Sequence, residues 1–248
     1  MPNYKLLALD LDRTLLNKEK EISAENKYWI EKAKQAGVHV IFSTGRGIQR
    51  TEHFRKELQL EGPQVLLNGA DVWEAPGKLL RRTYMDDAAI TYMYERAAQS
   101  KAKIWSYDVE SITHYRNPKE MKPKLGLLKL GISHKEPEVI DELRDDFNYL
   151  ETITITDSWE TNLEISAKNV TKASGVRLVL EQLALDFADV MAVGDSNNDF
   201  YLVQEAGLGV AVGNAATTLK EVADEVTETH DNNGVAQAIK RYIFSIDD

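Results

Sequence analysis

Asp10 and Asp12 stand two residues apart at the end of an apolar run, LALDLD. Like charges in that position are costly unless a cation binds beside them. Far along the chain, GDSNND supplies Asp195, Asn198 and Asp199, and Lys172 opens a helical stretch shortly before it. Three carboxylates brought together want a hard divalent ion. An all-oxygen site with few protein ligands and several waters suits Mg2+, above all when a substrate phosphate completes the octahedron. Thr44 in VIFSTGR can donate a hydroxyl hydrogen bond to a phosphoryl oxygen, and Lys172 can neutralise phosphate and nucleophile together. Backbone N–H groups after Asp10 and the helix N-terminus at Lys172 add further donors. Positioning plus charge stabilisation is what phosphoryl transfer mainly requires. A carboxylate nucleophile makes an aspartyl-phosphate, and a carboxyl group two residues on can protonate the leaving alkoxide and then deprotonate water.

These residues need elements that converge. KLLALDLD (5–12) is apolar nearly throughout, as a central parallel strand is. Ser23 and Gly37 bracket a helix over 23–37, VHVIFST (38–44) is the next strand, and a helix covers about 48–59. QVLLN (64–68) reads as the third strand of the same sheet and ends on Asn68 and Gly69. After a gap come a helix (170–185), the strand DVMAVG (189–194), a short helix (199–207) and the strand LGVAVG (208–213). This alternation predicts an α/β fold, a Rossmann-like doubly wound parallel sheet. Right-handed crossovers put the carboxyl ends of its strands along one edge, where open α/β sheets bind ligands. Thr44, Gly45, Arg46, Asn68 and Gly69 share that edge with the acidic residues. The middle differs: helices at 86–100 and 136–147 are mixed with IWSYDVE, SITHYR, LLKLGIS, TITITDS and NLEISAK, an antiparallel pattern. The reading is therefore a core over 1–82 and 169–248 with an inserted α+β domain over 83–168.

Composition bounds the rest. Hydrophobic residues make up 43% and charged residues 28%, ordinary values for a globular chain. A net charge of −10, spread along the chain, argues against nucleic acid or an anionic membrane as partner. The absence of Cys excludes disulfides, thiolate nucleophiles and zinc–thiolate sites. No apolar run approaches a membrane span, and MPNYKLLALD lacks a signal-type pattern, so the expectation is a cytoplasmic protein, monomeric or a small homo-oligomer.

The order DLDRT, STGR, NGA, Lys172, GDSNND resembles the haloacid dehalogenase superfamily, and within it the Cof-type phosphatases, whose cap is inserted between the second and third motifs. AVGNA (211–215) and NNGVAQAI (232–239) are similar to that group's closing segments, so the likeness covers nearly the whole chain. The resemblance implies a nucleophile at Asp10 and a general acid/base at Asp12. It implies Mg2+ ligands in Asp10, the backbone carbonyl of Asp12, and Asp195. Thr44 and Lys172 match the phosphate-binding second and third motifs, and Asp199 an outer support for metal and lysine. Asn198 lies beside Asp199, Asn68 and Gly69 match a loop at the rim, and Arg46 divides between substrate contact and structural ion pair. The implied activity is Mg2+-dependent hydrolysis of small phosphate esters, the cap closing over the site and selecting the leaving group.

One position departs from the pattern. Arg13 stands where the family has glycine, in Leu11-Asp12-Arg13-Thr14. If glycine served a positive φ, Arg13 would strain the loop; if only its N–H is used, Arg13 points outward to substrate or cap, and this second arrangement is the expectation. Alone, Asp-x-Asp is a turn or cap, Lys172 a surface lysine and GDSNND an Asx-rich turn; it lacks the alternating ligands and closing Glu of a calcium loop. Their joint order is what points to chemistry. Tyr107, His114, Arg116 and Asn162 are candidates for selecting the substrate. Two rivals stand: a phosphotransferase or phosphomutase with the same nucleophile, separable by free phosphate against isomerised product, and a non-catalytic phosphate sensor, which would be expected to lack Asp12 or Lys172.

Overall fold

The structure, a computed structural model, describes residues 3–115 and 122–246. Arg116 and the end of the FSIDD tail lie outside the described residues. The chain begins with β1 (Leu6–Leu9), α1 (Ala24–Gln35), β2 (His39–Phe42), α2 (Glu52–Glu57), β3 (Gln64–Leu66), β4 (Asp71–Ala75) and β5 (Lys78–Arg82). It continues with α3 (Asp87–Gln99), β6 (Lys103–Tyr107), β7 (Ile112–Tyr115), β8 (Lys129–Ser133), α4 (Pro137–Phe147), β9 (Ile153–Thr156) and β10 (Asn162–Ala167). It closes with α5 (Lys172–Leu183), β11 (Val190–Gly194), α6 (Phe200–Glu205), β12 (Leu208–Ala211), α7 (Thr217–Lys220), β13 (Glu225–Val226) and α8 (Gly234–Ala238). Residues up to Leu80 and from Lys172 onward form one compact unit, and Arg81–Thr171 form another.

The first unit is built on a parallel sheet in the order β13-β12-β11-β1-β2. β1 lies between β11 and β2, with Leu6 opposite both Val190 and His39. It is apolar throughout because both of its faces are covered. Leu7 and Leu9 join Ile30 and Ala33 of α1, while Leu6 and Ala8 join Ala173, Val176 and Val179 of α5. Ser23 caps α1 by accepting from the Asn26 amide at 3.1 Å. Buried Asn26 accepts in turn from the Ala236 amide at 2.9 Å, which ties α1 to α8.

QVLLN does not extend this sheet as the sequence suggested. β3 touches it through a parallel bridge, Ser43 to Val65, and otherwise pairs antiparallel with β4. The result is a separate three-stranded sheet, β3-β4-β5. Leu67 and Asn68 both take left-handed φ, 52° and 56°, and turn the chain back on itself before the strand can lengthen. β4 and β5, joined across Pro76-Gly77, were not anticipated; the Pro-Gly pair between β-rich runs was the available signal.

The second unit is an antiparallel sheet, β7-β6-β8-β10-β9, with α3 and α4 packed on it. Ile90, Met93 and Tyr94 of α3 and Ile140, Leu143 and Phe147 of α4 meet Ile104, Leu130, Ile132, Leu163 and Ile165 of the strands. A buried ion pair, Lys129 Nζ to Glu164 Oε2 at 2.6 Å, lies within this unit, and the ammonium is 5.2 Å from the Trp105 ring centroid. The expected helices and strands of the middle segment thus appear as α3, α4 and β6–β10.

Candidate active site

The amide of Asp10 donates to the Val193 carbonyl at 3.1 Å, which carries the β1–β11 ladder one residue past the strand. This fixes the buried Asp10 carboxylate at the carboxyl edge of the sheet. Lys172, the first residue of α5, is fully buried, and its Nζ lies 2.7 Å from Asp10 Oδ1 and 2.6 Å from Asp199 Oδ1. The other oxygen of Asp199 accepts from the amides of Asp195 and Ser196, at 3.1 and 3.3 Å. Gly194 makes this possible: a Cβ there would sit 2.4 Å from Asp199 Cγ. Thr14 Oγ1 donates to Asp195 Oδ1 at 3.5 Å, and the Asp195 carbonyl accepts from the Ala216 amide at 2.8 Å. Residues from the first and last thirds of the chain thereby meet at one point. Asp10, Asp195 and Asp199 each offer an oxygen, all within 4.8 Å of one another.

The cluster is short of positive charge. Burial, reinforced by the charges of Asp199 and Asp12 against the pull of Lys172, lifts the Asp10 carboxyl to about 7. Burial and the charges of Asp10 and Asp199 lift Asp195 to about 8, while Lys172 and Arg13 pull the other way. Burial works against the Lys172 ammonium, yet its two carboxylate partners outweigh it and hold its pKa above the ordinary lysine value. Buried carboxylates that converge and resist ionisation are a donor set for a hard divalent cation. The residues fit such an ion: all donors are oxygens, all three are buried, and each is held by a neighbour.

Asp12 takes a different direction. Its side chain is 43% exposed and lies outside the three-carboxylate cluster. Arg46 grips it at two points, Nε to Oδ2 at 2.6 Å and Nη2 to Oδ1 at 2.7 Å, and Lys20 Nζ adds a third contact at 3.0 Å. Burial would raise its pKa, but Arg46 and Lys20 prevail and bring it to about 2. In this arrangement Asp12 is a carboxylate, held ionised by its two cations. Arg46 therefore sits in an ion pair with Asp12. Thr44 is buried, and its hydroxyl accepts from the Arg46 amide at 3.3 Å. The Thr44 carbonyl accepts from the Asn68 amide at 3.0 Å, which joins the STGR and NGA loops through the backbone. Gly69, at φ 98°, packs against α5, where a Cβ on Gly175 would lie 3.0 Å from the Gly69 Cα. Asn198 accepts from Ser196 Oγ at 3.1 Å and braces the acidic loop.

Arg13 departs from expectation in its backbone. Its φ is 59°, so this position does need the left-handed conformation that glycine takes most readily. The guanidinium turns to Asp195, with Nη1 3.5 Å from Oδ2, and Nη2 donates to the Asn214 carbonyl at 3.4 Å. Asn214 Nδ2 donates back to the Arg13 carbonyl at 2.9 Å. Sequence reasoning missed Asn214 and Lys20 as neighbours of the site. Asn214 lies inside AVGNA and could have been found there; Lys20 carries no local signal. His114 and Asn162 lie in the second unit on β7 and β10, His114 exposed and Asn162 bonded to Ser158 Oγ at 3.0 Å. Tyr107 is buried at the end of β6.

Comparison with known proteins agrees with this architecture. The family model for haloacid dehalogenase-like hydrolases matches residues 7–129 and 115–239. A 5-amino-6-(5-phospho-D-ribitylamino)uracil phosphatase of Bacillus subtilis is 34% identical over 242 residues, covering 98% of this chain and 97% of the relative. A phosphoglycolate phosphatase of Methanobrevibacter smithii is 30% identical over 248 residues, covering 98% of this chain and all of its own. Among solved structures, a haloacid dehalogenase-like hydrolase from Bacteroides thetaiotaomicron superposes with a TM-score of 0.80 at 26% identity, covering 96% of this chain and 99% of that one. No helix among the described residues is long and apolar enough to cross a membrane. With the parallel sheet and the motif order both in place, the chain belongs to the haloacid dehalogenase-like hydrolases and is an enzyme of their phosphatase branch.

Proposed function

We propose that the chain is a Mg2+-dependent phosphomonoesterase for small, soluble phosphorylated metabolites of the cytoplasm, working through an aspartyl-phosphate. The observation that carries the reading is the buried lysine bridging Asp10 and Asp199 beside Asp195. Asp10 and Asp195, with the Asp12 carbonyl, would hold the ion, Asp199 supporting both ion and lysine; when bound, the ion offsets charge on the phosphoryl oxygens. Asp10 Oδ attacks phosphorus and the P–O ester bond breaks, leaving the phosphoryl group on Asp10. Asp12, once protonated, gives its proton to the departing alkoxide; as a carboxylate it then takes one from the water that cleaves the acyl phosphate, releasing inorganic phosphate. The Arg46 grip keeps Asp12 ionised but lowers its basicity, so it must loosen for both tasks. Lys172 lowers the negative charge that a phosphate dianion meets at Asp10, and the Thr44 hydroxyl offers a donor. The segment 83–168 is read as an inserted cap that selects the leaving group. The two curated phosphatases act, by their names, on different small phosphate esters, which supports the class and leaves the individual substrate to a screen.

The test is phosphate release from sugar phosphates, nucleotides, pyridoxal phosphate and flavin phosphate, each with and without Mg2+. Hydrolysis should need the ion, and Asp10→Asn should lower kcat by roughly 10^4-fold or more, as loss of a nucleophile does elsewhere. Isomerised product without free phosphate would assign a mutase instead, and wild-type rates in Asp10→Asn would remove the nucleophile.

A further inference from the structure

We propose that Arg13 is a built-in counter-ion of the carboxylate pocket, one that weakens divalent-ion binding and strengthens phosphate binding by the ion-loaded protein. The inference rests on the metal-dependent reading above and adds Arg13 to the residues it uses. Its guanidinium stands 3.5 Å from Asp195 Oδ2 and is anchored to the Asn214 carbonyl at 3.4 Å. The loop that carries it is braced in return, because Asn214 Nδ2 donates to the Arg13 carbonyl at 2.9 Å. Asn214 Oδ1 is itself fixed by the His230 amide at 2.9 Å. The side chain is thus held toward Asp195 from both ends. It is held there although the backbone sits at φ 59°, where glycine or asparagine is the better fit. Arginine is always charged, so this cation does not titrate away.

Charge balance gives the consequence. With the ligands Asp10 and Asp195 ionised, and Asp199 ionised against Lys172, Lys172 alone would leave the pocket at minus two, matching one divalent ion. Arg13 brings it to minus one. A divalent ion then enters a weaker field but leaves the loaded pocket at plus one, a better receiver for a phosphate dianion. The same guanidinium therefore acts on the two ligands with opposite sign. A residue with a merely structural role would move both affinities together.

Isothermal titration of the full chain tests this, with Mg2+ alone and then with inorganic phosphate into Mg2+-saturated protein. Arg13→Asn and Arg13→Gly remove the charge, and both tolerate positive φ, so the fold is kept; circular dichroism checks it. Both variants should bind Mg2+ about tenfold more tightly and phosphate about tenfold more weakly, the scale of one unit charge a few ångströms away in a partly screened site. Arg13→Lys should stay near wild type in both titrations. Unchanged or weaker Mg2+ binding in the Asn and Gly variants, or both affinities moving in the same direction, overturns the proposal while leaving the phosphatase reading intact. No Mg2+ binding by wild type at millimolar concentration removes the reading and the proposal with it.

Discussion

Asp12 shows how far one side chain's partners decide what it can do. Gripped by Arg46 and touched by Lys20, it is depressed from 3.8 to about 2, so the folded protein binds that proton less readily than the unfolded chain. The pair therefore contributes stability above pH 4, and the contribution is lost as pH falls toward 2. Arg46→Ala should lower Tm near neutrality by a small amount, and the gap to wild type should close between pH 4 and pH 2. Asp10 and Asp195 carry the opposite sign. Raised from 3.8 to about 7 and about 8, they make the ion-free folded form bind more protons than the unfolded chain. Its stability should fall as pH rises from 4 to 8, and the gain in Tm on adding Mg2+ should grow over the same range. Differential scanning calorimetry across pH, with and without the ion, measures both. At the chemical step, Asp12→Asn should give a burst of about one equivalent of p-nitrophenol from p-nitrophenyl phosphate and then a slow steady state. That leaving group departs without a proton, whereas water attack on the aspartyl-phosphate needs the base. Stopped-flow absorbance separates the two phases; a full steady-state rate with no burst would deny Asp12 the base role.

At the level of elements, the site depends on where strands stop and how closely the next segment returns. β11 ends at Gly194, and the following turn brings Asp199 back against that glycine. Gly194→Ala would drive a methyl group into Asp199, pull its carboxylate from Lys172 and loosen the amides of Asp195 and Ser196. The expected cost is about 1–3 kcal/mol in urea denaturation, together with weaker Mg2+ binding. Lys172 enters the cluster because α5 begins at that residue. Ala173 and Val176 fix the helix against the sheet and carry the lysine inward with it. The three-residue β3 illustrates the reverse case. Its apolar letters fit a central strand, but its hydrogen-bond partners are decided by the hairpin that follows and by the left-handed turn at Leu67 and Asn68.

For the molecule as a whole, the two units keep separate hydrophobic cores, one around the parallel sheet and one between α3, α4 and the antiparallel sheet. Their chemistry is separate too. The carboxylate cluster belongs to the first unit, and the buried Lys129–Glu164 pair to the second. Removing one partner of a buried pair leaves an uncompensated charge, so Lys129→Met should cost about 3–5 kcal/mol. In hydrogen exchange its effect should fall on β6, β8 and β10. Mg2+ should protect Asp10–Thr14 and Asp195–Asp199 instead. Exchange in β6, β8 and β10 that is unchanged by the mutation would show that the pair is dispensable to that sheet.

The alternation of apolar runs and helical periods was enough to read a parallel α/β sheet with an antiparallel segment in its middle, because burial on both faces or on one writes a different pattern into the letters. The order of DLDRT, STGR, NGA, Lys172 and GDSNND was enough to read the family. Where side chains point was decided by tertiary structure. That Arg13 turns to Asp195 and Arg46 to Asp12 depends on residues scores of positions away and on a left-handed φ at a position occupied by arginine. Local sequence sets which backbone states are cheap; a distant carboxylate in a poorly solvated pocket sets which of them is adopted.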